Sequence, residues 1–141
     1  MDIEFLKNLV DYGVISLLIF MSFLSVWFFI ERLFFYNKLE FDNYKTQKSL
    51  EIAVTKHLTT IGTIASNAPY IGLLGTVLAI MLTFMTMSAG DIEATKIMSS
   101  LALALKATAI GLVVAILSMV FYNVLSRYSE VLVTKYENEK I

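Results

Sequence analysis

The stretch LALALKATAIGLVVAIL, residues 101–117, is apolar almost throughout and carries a single charged residue, Lys106, in its middle. It belongs to a run from Ile97 to Ser126 that has no other charge. As a helix rising about 1.5 Å per residue, this run is longer than the roughly 30 Å of a bilayer's hydrocarbon core. The stretch therefore predicts a membrane-spanning helix and raises the question of what surrounds the ammonium group of Lys106.

Two further stretches avoid charge in the same way. The first, from Gly13 to Ile30, holds 18 residues, and the second, from Leu58 to Gly90, holds 33. A helix of the second length must tilt, protrude or bend, and the one proline of the chain, Pro69, is the natural place for a kink or a helix start. Together with a hydrophobic fraction of 57% and a mean hydropathy of +0.72, these runs predict an all-α integral membrane protein with three transmembrane helices.

Composition also excludes several classes of function. The net charge of -1 provides no basic surface for nucleic acid, and the absence of cysteine rules out disulfides and thiolate metal sites. The single histidine, His57, is too little for a zinc or haem site, and is interpreted as a solvated residue, with a pH sensor as the alternative. The sequence has no evident nucleophile–base pair or glycine-rich phosphate loop, so we expect no metal, no cofactor and no enzymatic activity.

Lysine and arginine are unevenly distributed across the predicted membrane. The segment 31–61 and the C-terminal tail hold most of them, whereas the other side has only Lys7 and Lys96. By the positive-inside rule the N-terminus lies outside, and the polar segment and the tail are cytoplasmic helical extensions of the spans. The turn GDIEATK predicts an antiparallel hairpin, with Asp91 as N-cap of the third span. The chain is predicted as one membrane domain, 1–141, with spans at about 12–31, 66–89 and 97–123, cytoplasmic parts at 32–62 and 124–141, and outside parts at 1–11 and 90–96.

Small and weakly polar residues follow one helical face in each of the second and third spans, at spacings of three and four residues. Two interpretations are open. Small residues allow membrane helices to pack closely, or the two faces line a shared channel or hold another protein's helix. Three helices cannot enclose a channel, so a channel requires a ring of copies. The face of the second span is Ala65, Pro69, Gly72, Thr76, Ala79, Thr83, Thr86 and Gly90, and that of the third is Ala104, Thr108, Gly111, Ala115, Ser118 and Tyr122.

Two motifs within these faces are similar to those of a known family. The segments AP-x-x-GLLGTV, 68–77, and ATAIGL-x-x-AI, 107–116, resemble the signature spans of the ExbB/TolQ/MotA family of ion-driven inner-membrane motors. The short chain with three spans is similar to ExbB and, less closely, to TolQ, and lacks the large cytoplasmic segment of MotA. The resemblance implies a homopentamer in the bacterial inner membrane that surrounds a dimer of ExbD-like single-span chains. It also implies a TonB-like protein that receives the work for outer-membrane import, with lipids around the ring.

The resemblance assigns residue roles as well. The family's pore-facing threonines correspond to Thr76 and Thr108, which we expect on the proton pathway. Relatives commonly carry glutamate where this chain has Leu103, so proton passage here would need the partner's membrane aspartate together with the two threonines. That departure leaves a non-conducting structural scaffold as an alternative. The other pore-lining candidates are Ala79, Thr83, Gly111, Ala115 and Ser118, and the motif and packing candidates are Pro69, Gly72, Gly75 and Asn123.

The charged residues of the spans have separate interpretations. Lys106 lies about 200° around the helix from Thr108, off the small-residue face. Its ammonium group could extend to the membrane surface, contact a partner, a neighbouring subunit or a lipid head group, or lose its proton. Glu31 and Arg32 follow the first span, and we expect them to anchor it at the cytoplasmic interface, with a contact to the neighbouring subunit as the alternative.

Overall fold

The computed structural model describes residues 2–88, 90 and 93–140. Residue 140 is described by its backbone alone. Within those ranges the chain is all-helical and no strand occurs. Three of the helices are long and apolar enough to cross a membrane, as the three uncharged runs predict. In chain order the elements are α1, Ile3–Asn37; a 3-10 turn, Phe41–Asn43; α2, Gln47–Val54; α3, Leu58–Ser88; and α4, Ala94–Lys140.

The helix ends follow local sequence signals where these exist. Asp2 caps α1 by accepting a hydrogen bond from the backbone N–H of Glu4 at 3.3 Å. A capping box starts α2, because Thr46 and Ser49 each accept from the other's backbone N–H. Asp91, predicted as the N-cap of the third span, lies outside the described residues, and α4 begins at Ala94.

The three long helices form a bundle in which α3 packs along α4 and α1 packs against both. One core cluster joins them in the middle, with Leu18 of α1, Ile64 and Ala68 of α3, and Val114 and Ala115 of α4. The predicted spans 12–31 and 97–123 fall within α1 and α4, and the predicted span 66–89 falls within α3 up to Ser88, its last residue lying outside the described residues. Position 69 lies inside α3, so the proline does not start that helix.

The polar segment after the first span differs from the expected continuous helical extension. Between the end of α1 at Asn37 and the start of α3 at Leu58, the only α-helical residues are 47–54, with a 3-10 turn at 41–43, and no glycine or proline explains the breaks. The cause is tertiary packing. Leu50 and Val54 are fully buried in a second core cluster that also contains Tyr36 of α1 and Leu125 and Tyr136 of α4. The apolar face of α2 is buried only because the chain turns after α1 and folds α2 back against the bundle. A straight extension of α1 would leave this face exposed to water.

Candidate functional site

A close backbone contact between α3 and α4 is made by two glycines, Gly72 and Gly111. A Cβ atom placed on Gly72 would lie 2.6 Å from the carbonyl oxygen of Ala107, and one placed on Gly111 would lie 2.6 Å from that of Ala68. Each position therefore requires a residue without a side chain, and the two backbones touch directly. The AP-x-x-GLLGTV and ATAIGL motifs meet at this point, which explains their glycines as packing residues.

One turn away, the two motif threonines share a hydrogen bond. The hydroxyl oxygens of Thr76 and Thr108 are 2.5 Å apart. The Thr76 hydroxyl also lies 2.7 Å from the carbonyl oxygen of Ala104, and the Thr108 hydroxyl lies 3.4 Å from that of Gly72. Thr76 is buried, whereas Thr108 is half-buried at the edge of the helix contact.

A hydroxyl group has one proton, so this network has two consistent arrangements. In the first, Thr108 donates to Thr76 and Thr76 donates to Ala104. In the second, Thr76 donates to Thr108 and Thr108 donates to Gly72. The first arrangement uses the shorter acceptor distance and is favoured. Passing from one to the other reverses both O–H groups, which is the property required of a hydroxyl pair that relays a proton.

The remaining pore-lining candidates are buried between helices of the same chain. Ala79 and Thr83 are buried on α3, and the Thr83 hydroxyl donates to the Ala79 carbonyl at 2.9 Å. Ser118 is fully buried, and its hydroxyl lies 2.7 Å from that of Ser25 on α1. Gly111 and Ala115 are also buried.

Of the four motif and packing candidates, two lie at contacts between helices and two are partly or fully exposed. Gly75 faces α1, because a Cβ atom there would lie 2.9 Å from a methyl carbon of Val14. Gly72 forms the glycine contact with α4, whereas Pro69 is half-buried and Asn123 is exposed. Within one chain the small-residue faces therefore serve helix packing, and their lining of a channel shared between copies stays a prediction.

Lys106 and Leu103 both lie on the exposed surface of α4. Within the described residues, the Lys106 ammonium group has neither a hydrogen-bond partner nor an ion-pair partner. Its exposure agrees with a position off the α3–α4 contact. A partner from lipid or another chain stays a prediction.

Arg32 has a role within the chain that the sequence did not reveal. Its guanidinium group is 3% exposed, forms a two-pronged ion pair with Glu31 at 2.6 and 2.7 Å, and donates to the Ala53 carbonyl of α2 at 2.8 Å. Tyr36, one turn later, donates to the Val54 carbonyl at 2.5 Å. Two side chains of α1 therefore satisfy the free carbonyls at the end of α2. The sequence signals this role only through the spacing of Arg32 and Tyr36 by four residues, which places both side chains on one face of α1.

His57 joins α2 to α3 and is half-buried, so it is not a freely solvated side chain. Its backbone has a φ of 70°, and its ring stacks face to face on Phe28 with centroids 4.2 Å apart. Burial of the ring lowers its pKa below the usual 6.5, opposed by the nearby Glu31 carboxylate.

The sequence reading also overlooked a set of exposed polar residues on the N-terminal half of α3, at positions 59, 63, 66 and 67. Their spacing of three and four residues was available as a signal, but they lie on the opposite side from the small-residue face. No cluster of three or more histidine, cysteine or acidic residues suited to a metal ion occurs among the described residues.

Three helices able to span a membrane, a glycine contact between α3 and α4 and a hydrogen-bonded threonine pair define a class of helical membrane proteins. A sequence profile of the MotA/TolQ/ExbB proton channel family matches residues 27–138, and the chain belongs to that family. It is 55% identical, over 94% of its length and 89% of the relative's, to the putative biopolymer transport protein ExbB-like 2 of Helicobacter pylori. It is 51% identical, over 88% of its length and 84% of the relative's, to the biopolymer transport protein ExbB of Aquifex aeolicus. The Tol-Pal system protein TolQ of Haemophilus influenzae is 40% identical over 57% of this chain and 39% of its own.

Proposed function

We propose that the chain is the ExbB-type subunit of a motor driven by the proton motive force. Five copies surround a dimer of ExbD-like single-span chains in the bacterial inner membrane, with the N-terminus in the periplasm and the C-terminus in the cytoplasm. Proton flow drives motion that a TonB-like protein carries to outer-membrane import. The chain itself performs no enzymatic chemistry, and its contribution is a path and a mechanical frame.

The observation that carries this proposal is the hydrogen-bonded pair Thr76 and Thr108. Both hydroxyls come from the two family motifs, and one of them, Thr108, lies at the edge of the helix contact where a group from outside the chain could reach it. A protonated carboxyl group on a partner helix would pass its proton to the Thr108 oxygen while the Thr108 hydroxyl releases its own proton to an adjacent water, so that the threonine stays neutral. No acid of this chain occupies the position where relatives carry glutamate, since Leu103 stands there, so the partner supplies the carboxylate.

The test is proton flux into vesicles that contain the chain together with its single-span partner. Replacing Thr108 with valine removes the exposed end of the hydroxyl pair at nearly constant volume, and Thr76→Val removes the buried end. We expect either change to reduce flux and TonB-dependent uptake by at least about tenfold, a barrier increase of about 1.4 kcal/mol. Thr134→Val, on the exposed C-terminal part of α4, is the matched control and should leave flux unchanged.

Unchanged flux in both threonine variants would show that the hydroxyls take no part. No flux in the unaltered complex would favour the alternative of another class, a non-conducting scaffold that only holds partner helices. A TolQ-type role in the Tol cell-envelope system is the alternative within the family, supported by the TolQ relative. Restoring uptake in a strain that lacks ExbB, against restoring envelope integrity in one that lacks TolQ, separates the two.

A further inference from the structure

The exposed face of α3 changes character along its length. Positions 59, 63, 66, 67, 70, 74, 77, 81 and 84 follow one helical face, and all are exposed. In the C-terminal half this face is apolar, with Leu74, Val77, Met81 and Phe84. In the N-terminal half it consists of Thr59, Thr63, Ser66, Asn67 and Tyr70, and we call its first four residues the polar face.

The polar face lies at a depth where the other two helices present apolar surface. Ile64 and Ala68, which flank it in sequence, pack in one cluster with Leu18 of α1 and with Val114 and Ala115 of α4. At that depth α1 exposes Phe20 and Phe23, and α4 exposes Val113 and Ile116. Two helices thus present surfaces suited to lipid, whereas the third presents hydroxyl and amide groups.

Several groups of the polar face have hydrogen-bonding capacity left over. The hydroxyls of Thr63 and Ser66 donate to carbonyls of their own helix at 2.8 Å, as membrane helices often arrange them. Asn67 uses one N–H of its amide on the Thr63 carbonyl, which leaves the other N–H and the Oδ1 atom free. The hydroxyls of Thr59 and Tyr122 have no hydrogen-bond partner within the described residues. Leaving such groups unpaired in hydrocarbon is unfavourable, because nothing there replaces their hydrogen bonds to water.

These groups surround a groove of about 400 Å³ between α3 and α4. Gly62 allows the Tyr122 side chain to approach α3 beside the groove, because the ring of Tyr122 lies 3.1 Å from the place where a Cβ atom on Gly62 would stand. The lining includes Thr59, Thr63, Ser66, Asn67 and Tyr122, and the groove is open on one side. At about 30 Å³ per molecule it has room for several waters.

We propose that the polar face lines a water-filled vestibule on one side of the threonine pair. The ion that passes through is the proton if the proposed function holds, and the vestibule is then its aqueous route to the Arg32 end of the bundle. The face turns inward in the assembled ring, where the polar groups bind water, while Phe23 and Val113 contact lipid.

The chain has no cysteine, so single cysteines can report which positions meet water. We would introduce Ser66→Cys and Asn67→Cys separately into the full chain, assembled with its partner in membrane vesicles. The probe is a charged, membrane-impermeant methanethiosulfonate reagent, which reacts with the thiolate and therefore only where water reaches the sulfur. It is applied in turn to each side of the membrane.

The matched controls are Phe23→Cys and Val113→Cys, which lie at the same depth and are 62% and 57% exposed in the chain. Leu74→Cys tests the apolar half of the same face, and Ile52→Cys on α2 is the fully accessible reference. We expect the sulfur at 66 or 67 to react from one side at least about ten times faster than at 23, 113 or 74.

Two results would overturn the vestibule. Equal reaction at 66, 23 and 113 would mean that this whole level lies in the aqueous phase outside the bilayer. No reaction at 66 and 67, with normal reaction at 52, would mean that lipid or a protein surface covers the polar face. Proton flux measured on the same vesicles keeps the proposals apart, because reaction at 66 without flux retains the vestibule and refutes the motor.

Discussion

Gly72 shows how a single absent side chain decides the geometry of the site. The carbonyl of Ala107 occupies the space where a Cβ atom would be, and this contact sets the distance at which Thr76 and Thr108 meet. A backbone carbonyl cannot turn aside as a side chain can. The glycine of the family motif is therefore a steric requirement of the threonine pair, and the two parts of the motif form one structure.

Gly72→Ala should separate α3 from α4. The added methyl would stand 2.6 Å from the Ala107 carbonyl oxygen, and relieving such overpacking costs about 1–3 kcal/mol. We expect a lower Tm of the detergent-purified chain and reduced proton flux. Gly13→Ala is the matched control, because no atom lies within 4 Å of its added methyl. Equal Tm values for the two variants would contradict this account of the contact.

His57 should give the protein an acid-sensitive stability. Its pKa is below 6.5 in the folded state, so on acidification the unfolded chain binds a proton before the folded chain does. The stability contributed by the neutral ring is fully present above pH 6.5 and is lost as pH falls through the lower, folded pKa.

The measurement is Tm between pH 7.5 and pH 5.5, for the unaltered chain and for His57→Asn. Asparagine tolerates the φ of 70° at this position and does not titrate. The chain has no other histidine, so the variant should show a flatter profile in this range. Parallel profiles would mean that another group carries the pH dependence.

At the scale of elements, α2 depends on α1 for hydrogen bonds to its C-terminal carbonyl groups. The two carbonyls at its C-terminal end, Ala53 and Val54, accept from Arg32 and Tyr36. With eight residues, α2 is too short to be stable by itself in water. Its position therefore depends on these hydrogen bonds and on the burial of Leu50.

Arg32→Met should release α2 from the bundle. The substitution keeps the apolar stem but leaves the Ala53 carbonyl without its donor, at a cost of about 1–3 kcal/mol. We expect tryptic cleavage within 38–56 to become roughly five- to a hundred-fold faster in vesicles open on that side. Arg127→Met is the control, because the ion pair of Arg127 with Glu130 is exposed at 3.6 Å and contributes little. An unchanged cleavage rate in Arg32→Met would contradict the role of the guanidinium group.

The same elements show what the sequence could predict. Uncharged length determines three spanning helices, and the spacing of small residues places Gly72 and Thr76 on one face of α3 and Gly111 on one face of α4. The fold of 38–57 was not predictable in this way, because it depends on a hydrogen bond from the guanidinium group of Arg32 to the carbonyl of Ala53, 21 residues later in the sequence. The polar face of α3 was overlooked because its hydroxyls resemble ordinary helix residues until the depth of the neighbouring helices is known.

At the scale of the whole molecule, the proposed assembly would place the exposed surface against lipid, other copies and partner chains. Lys106 stands on that surface, without a hydrogen bond or ion pair to the described part of its own chain. Its ammonium group would then act in assembly or lipid contact and not in the transfer of protons.

Lys106→Met should therefore separate assembly from conduction. Methionine keeps the length of the side chain and removes its charge. We expect flux per assembled complex to stay near that of the unaltered protein, while native mass spectrometry shows fewer complete copies of the proposed pentamer or fewer bound anionic lipids. A loss of flux comparable to that of Thr108→Val, in fully assembled complexes, would place the lysine on the proton path.

The direct contact of backbones at Gly72 and Gly111 also limits which parts of a motor can move. Sliding α3 past α4 would bring a side chain to the place where Gly72 now leaves room for the Ala107 carbonyl, so the two helices must move together as one rigid unit. In the proposed motor, rotation would be confined to the contacts between copies and to the partner helices that they surround. The energy taken from the ion gradient would then reach the partner helices without being spent on bending α3 and α4.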